Sequence, residues 1–154
     1  MFLLSIALFI GVTAMAMYMS AEFSVFYNWP SLIIVIPVSL AFSMAITSLS
    51  TFKQAFSIVL SDGAGWSQSQ LTAASHVFEA IGKSAVLMGW FGVIIGAVAM
   101  ASDIDKTEFA DVIGPATAVC LLTLLYGYAL NIVCFSASSR IQYFATKFTP
   151  ESQA

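Results

Sequence analysis

The sequence predicts an all-α membrane protein: four transmembrane helices, with short amphipathic cytoplasmic helices between the second and the third. Three observations predict it. Apolar residues fill 60% of the 154 positions and charged residues only 8%, against roughly a quarter charged in typical soluble domains. Mean hydropathy is +0.94. The charges that exist fall between long uncharged stretches and not within them. Too few charges are present to cover a water-facing surface, so lipid is the solvent for most of the chain.

The first span is expected at about 2–20. It is apolar from the start, and no Lys or Arg precedes Lys53, so it lacks the basic n-region of a secretory signal. A connection with Glu22, Tyr27 and Trp29 comes next; such aromatic rings favour the headgroup level. The second span, about 30–49, opens on Pro30, which suits the first turn of a helix. Pro37 lies in its interior, removes the intrahelical bond to Ile33 and is expected to bend the helix. Ser39, Ser43, Thr47 and Ser50 form a hydroxyl line below it, at steps of three and four.

Residues 50–83 make the longest polar segment, expected on the cytoplasmic side. Phe52, Phe56, Val59 and Leu60 fall at helical spacing and predict an amphipathic helix at the membrane surface. Gly63 and Gly65 mark a turn. A second amphipathic helix is expected from near Ser69 towards Lys83. The third span, about 84–101, carries Ala85, Gly89, Gly92, Gly96 and Ala99 on one face, a small-residue stripe that lets helix backbones approach closely in lipid. After the acidic connection Ser102–Asp111 comes the fourth span, about 112–136. There Ala116, Cys120, Thr123, Gly127, Asn131, Cys134 and Ser138 share a face. A polar tail, 139–154, ends frayed. Residues 1–154 thus form a single membrane domain.

Lys53, Lys83, Arg140 and Lys147 share one side of a four-span chain, and only Lys106 is on the other. The positive-inside rule puts both termini and the middle segment in the cytoplasm.

The net charge of −3 and the lack of a basic patch argue against nucleic acid as a partner. Cys120 and Cys134 are fourteen residues apart, about 21 Å along a helix, and read as small packing residues. His76 and Glu79 are two ligand types without a third, a poor metal site, and read as the polar face of a helix. No metal or other cofactor is expected, and no nucleophile with a base nearby points to an enzyme. The four spans hold no Asp, Glu, Lys, Arg or His. A proton relay needs such a group at membrane depth, so an ion-handling role requires hydroxyls, carbonyls or a carboxylate from a partner. The two small-residue stripes have a bland reading, packing within a bundle. The sharper reading makes them line a path or embrace another helix.

The run Gly114-Pro115-Ala116-Thr117-Ala118-Val119-Cys120-Leu121-Leu122-Thr123-Leu124-Leu125-Tyr126-Gly127 resembles the fourth-helix signature of the MotA branch of the MotA/TolQ/ExbB proton channel family, close to GPAxAVALLTTLYG. Gly89, Gly92 and Gly96 match its GxxGxxxG third helix. Trp29-Pro30-Ser31-Leu32-Ile33-Ile34-Val35 is similar to the start of its second helix, and Phe52-Lys53-Gln54 to the exit from that helix. The resemblance covers nearly the whole chain.

It implies the pore-forming subunit of an ion-driven motor, or stator, in the bacterial inner membrane. The subunit would be a homopentamer around two copies of a single-span partner of the MotB, TolR or ExbD type, whose helix supplies the essential aspartate. It also implies that Thr117, Thr123, Gly89, Gly92, Gly96, Pro115, Gly127 and Asn131 form the ion pathway or the partner-helix contact. The chain departs from the pattern in three ways. Its middle segment is far shorter than that of flagellar MotA. Val86 and the Ser136-Ala137 pair stand where the family has prolines. Val93 and Leu124 stand where sodium-using members have hydroxyls; sodium needs oxygen ligands, so protons are favoured. Two other classes fit the residues: a non-conducting scaffold ring and a small-substrate transporter.

Overall fold

The computed structural model describes residues 2–20, 23–61, 65–103 and 109–147. The elements are α1 (Phe2–Ser20), a 3-10 turn (Phe23–Phe26), α2 (Trp29–Ile46), α3 (Leu49–Leu60), α4 (Gln68–Asp103) and α5 (Phe109–Lys147). Among the described residues there is no strand. α1, α2, α4 and α5 each hold a window long and apolar enough to cross a membrane, which are the four expected spans. Glu22, Gly63, Lys106 and residues 148–154, with the fraying expected of them, lie outside the described residues.

α2 begins where its capping chemistry dictates. The Asn28 side chain accepts from the Ser31 N–H at 3.1 Å, and Pro30 occupies the first turn. This satisfies a donor that the helix start leaves free. The helix remains continuous through Pro37. Ser39 Oγ donates to the Val35 carbonyl at 2.6 Å. α2 ends at Ile46, three residues short of the expected Leu49. Thr47 leaves the helix and turns its hydroxyl back to the Ser43 carbonyl at 2.8 Å. Ser48 then caps α3 by accepting from the Thr51 N–H. A run of Ser and Thr bonds the backbone locally and competes with helix continuation. The expected hydroxyl line is therefore cut: Ser50 belongs to α3. Its true extension is upward, because Ser31, Val35, Ser39 and Ser43 form the buried stripe of α2.

α3 is amphipathic as expected, but its buried face is Phe52, Ala55, Ile58 and Val59. Phe56 is part-exposed, its ring 5.2 Å from Phe52 and 5.3 Å from Phe78. Leu60 points outward. Ile58, two residues before it, turns to the core because the helix places 55, 58 and 59 on one side.

The third and fourth spans are each part of a longer helix. The helix expected over 69–83 runs without a break into the third span as α4, and the fourth span continues through Arg140 to Lys147 as α5. Nothing between Gln68 and Asp103 stops a helix; Gly82 is accommodated by packing. The two rods have 36 and 39 residues, so each is about 55 Å long, well beyond a bilayer core of about 30 Å.

The apolar core sits at one end. Phe52, Ala55, Ile58 and Val59 of α3 pack on Leu71, Ala74, Val77, Phe78 and Ile81 of α4 and on Cys134, Ala137 and Ile141 of α5. This is the basic end, where Lys53, Lys83 and Arg140 lie. Here water is present to drive apolar burial, whereas in lipid helices associate through close packing. Arg140 binds the end together: Nη2 donates to the Ser61 carbonyl at 3.3 Å, and the guanidinium lies 5.1 Å from the rings of Phe2 and Phe144. α1 buries none of its residues; Phe2 touches the core, and most of the helix is exposed.

Candidate functional site

Among the described residues α4 packs most extensively on α5, and glycines set the spacing. The pairs descend one helix as they ascend the other, so the rods are antiparallel. A Cβ on Gly82 would meet Asn131 Oδ1 at 2.5 Å. One on Gly127 would meet the Ala85 carbonyl oxygen at 2.6 Å, and one on Gly89 the Thr123 carbonyl oxygen at 3.2 Å. On Gly92 it would land inside the methyl of Thr123, and on Gly96 inside the sulfur of Cys120. Any side chain here pushes the rods apart.

Thr123 is the polar centre of this seam. It is buried, with Oγ1 2.9 Å from the Val119 carbonyl and 3.0 Å from Ser31 Oγ of α2. If Thr123 donates to Val119, Ser31 donates to Thr123, and both hydroxyls are satisfied. Three helices are thus joined at one level: α2 through Ser31, α4 through Gly92 and α5 through Thr123. Further along, Ser43 Oγ donates to the Val77 carbonyl of α4 at 3.1 Å.

The expected site residues therefore separate into two groups. Gly89, Gly92, Gly96, Thr123, Gly127 and Asn131 come together, but they meet across the α4/α5 seam. The face expected to receive another protein's helix is covered within the chain by α4, because the glycine stripe and the Thr123 stripe are complementary in shape. Thr117 and Pro115 stand apart, exposed near the other end of α5. Thr117 Oγ1 is 3.9 Å from Met100 Sδ. Cys120 and Cys134 are both buried free thiols, as packing residues would be. Cys120 Sγ lies 3.9 Å from the carbonyl of Val93.

Three features were missed in the sequence. Ser31 lies four residues before Val35 and eight before Ser39, so the period of the hydroxyl line already pointed to it. Tyr126 OH donates to the Phe26 carbonyl and accepts from the Asn28 N–H at 3.2 Å. It pins the α1–α2 connection to α5, which no local pattern announces. Glu79 lies 3.8 Å from His76, its neighbour on the polar face of α4. Its closer partners are Gln142 Nε2 of α5 at 3.0 Å and Lys83 Nζ at 3.6 Å. Among the described residues no three potential metal ligands cluster.

The comparisons with known proteins agree with this architecture. A model of the MotA/TolQ/ExbB proton channel family matches residues 40–153, from the middle of α2 to beyond α5. Over 71 residues, 46% of the chain, the sequence is 44% identical to Chemotaxis protein PomA of Vibrio alginolyticus. The aligned part spans 27% of that relative's length. With most of its length matched and four helices able to cross a bilayer, this multi-pass membrane protein belongs to the MotA/TolQ/ExbB proton channel family.

Proposed function

We propose that this protein is the pore-forming subunit of a proton-driven stator in the bacterial inner membrane. It would assemble as a homopentamer around a single-span partner of the MotB, TolR or ExbD type that supplies an aspartate. Both termini and the basic end would lie in the cytoplasm, by the positive-inside rule.

The observation that carries this reading is the family match across α3, α4 and α5, joined to the form of those helices. Two rods each about 55 Å long, held by a glycine seam, suit transmission of force from membrane to cytoplasm. Within the membrane the seam offers hydroxyls and carbonyls but no carboxylate, so the charge that moves the ion would come from the partner. In this reading the seam residues, Thr123 and Gly92 among them, set the shape of the pore wall from behind. Thr117 and Pro115, exposed on α5, would be the site residues that touch the partner helix. Protons fit better than sodium because Val93 and Leu124 offer no side-chain oxygen.

The test is co-expression with the single-span product of a neighbouring gene. Expected are a co-purifying complex with fivefold symmetry in cryo-EM and proton uptake in vesicles that is lost when the partner's aspartate becomes asparagine. A ring that assembles but carries no ions in any gradient would support a scaffold instead.

A further inference from the structure

The geometry points to a built inner mouth for the ion, a polar cleft at the basic end of the α4/α5 pair in which Glu79 receives the departing cation. This rests on the stator reading above and deepens it. The cleft has a volume of about 310 Å³ and is walled by Glu79, Lys83, Asn131, Ser138, Ser139 and Gln142, with Phe78 and Phe135 as apolar flanks. That is room for several waters.

Its position matters first. Asn131 sits over Gly82 in the seam, and Gln142 lies about 16 Å further along α5. Residues 131, 138 and 142 fall at steps of seven and four, so they share one face of α5. The cleft therefore begins at Asn131, near the inner end of the fourth span, and leads along a line of neutral hydrogen-bonding groups to a carboxylate.

The carboxylate is held in place from the opposite helix. Glu79 Oε1 accepts from Gln142 Nε2 at 3.0 Å and lies 3.5 Å from Ser138 Oγ, and Gln142 also reaches Ser138 Oγ at 3.4 Å. Oε2 faces Lys83 Nζ at 3.6 Å and His76 Nδ1 at 3.8 Å. The Lys83 and His76 side chains are 77% and 66% exposed, so water screens both pairs and neither locks the carboxylate. The cleft wall contributed by α5 carries no charged group. A cation arriving along the α5 face thus meets an oriented carboxylate whose ion pairs with Lys83 and His76 are open to water, so it can leave Glu79 directly into solvent. A purely structural role would need only the Gln142 bond, which an amide serves equally well.

The test uses the co-expressed complex in vesicles of phosphatidylethanolamine and phosphatidylglycerol, with an internal pH dye or sodium dye to distinguish the two cations. Glu79→Gln keeps the shape and the Gln142 contact and removes the charge. It is expected to slow flux about tenfold, a barrier rise of about 1.4 kcal/mol, without changing particle size or Tm; Glu79→Asp should retain most of the flux. Unchanged flux in Glu79→Gln overturns the proposal. Ser139→Cys gives a second reading if Glu79→Gln does not assemble. A membrane-impermeant cationic methanethiosulfonate, applied at the basic end, should block its flux and not that of the wild type, whose cysteines are buried. Labelling without block also overturns the proposal. If the wild-type complex carries no partner-dependent flux, the stator reading itself falls, and this one with it.

Discussion

Replacing Gly92 with alanine puts a methyl group where the Thr123 methyl already stands. The new Cβ would also lie 3.1 Å from Thr123 Cβ and 3.4 Å from Oγ1. Thr123 cannot turn aside cheaply, because Oγ1 is bonded to the Val119 carbonyl and to Ser31 and a β-branched side chain in a helix has few rotamers. Overpacking of this kind costs about 1–3 kcal/mol, against the roughly 1 kcal/mol that alanine gains over glycine in helix propensity, which leaves a net loss of up to about 2 kcal/mol. Thr123→Ser removes the obstructing methyl and keeps the hydroxyl; on its own it should cost about 1 kcal/mol for lost burial. In the double variant the methyl added at position 92 fills the space that Thr123 gave up. Its stability should return to the wild-type level or slightly above, where independent effects would leave a loss of about 1–3 kcal/mol. Thermal unfolding of the purified protein in detergent reads this directly, at about 2–4 °C per kcal/mol for a chain of this size. If the two substitutions add within about 0.5 kcal/mol, Gly92 and Thr123 are not in the contact described.

The same contacts set other outcomes. Gly127→Ala should lose about 1–3 kcal/mol, and Ala85→Gly should not rescue it, because the obstacle is the Ala85 carbonyl oxygen at 2.6 Å; Gly114→Ala, which meets nothing within 4 Å, should leave Tm unchanged or slightly raised. Tyr126→Phe removes the hydroxyl shared by Phe26 and Asn28. It should lower stability by about 1–2 kcal/mol and speed proteolysis in the α1–α2 connection, with little change at the basic end.

Much of the fold was legible because its physics is local. An uncharged run of about 20 residues has few choices, and α1 ran over the residues expected of it. α4 and α5 exceeded their expected limits because charge marks where a helix leaves lipid, not where it stops. Lys83 and Arg140 are as acceptable to a helix as leucine is. α2 ended early at Ser and Thr residues whose capping role depended on which neighbouring backbone groups were free.

The seam divides the two kinds of knowledge most clearly. The faces are written in the residue spacing: small residues at 85, 89, 92 and 96 on one helix, and at 116, 120, 123 and 127 on another. The absence of charge from the spans is written there as well. That these faces fill each other follows from the packing of α4 on α5. Periodicity describes one helix at a time, whereas complementarity between Gly92 and the Thr123 methyl, or between Glu79 and Gln142, exists only once two distant segments are side by side.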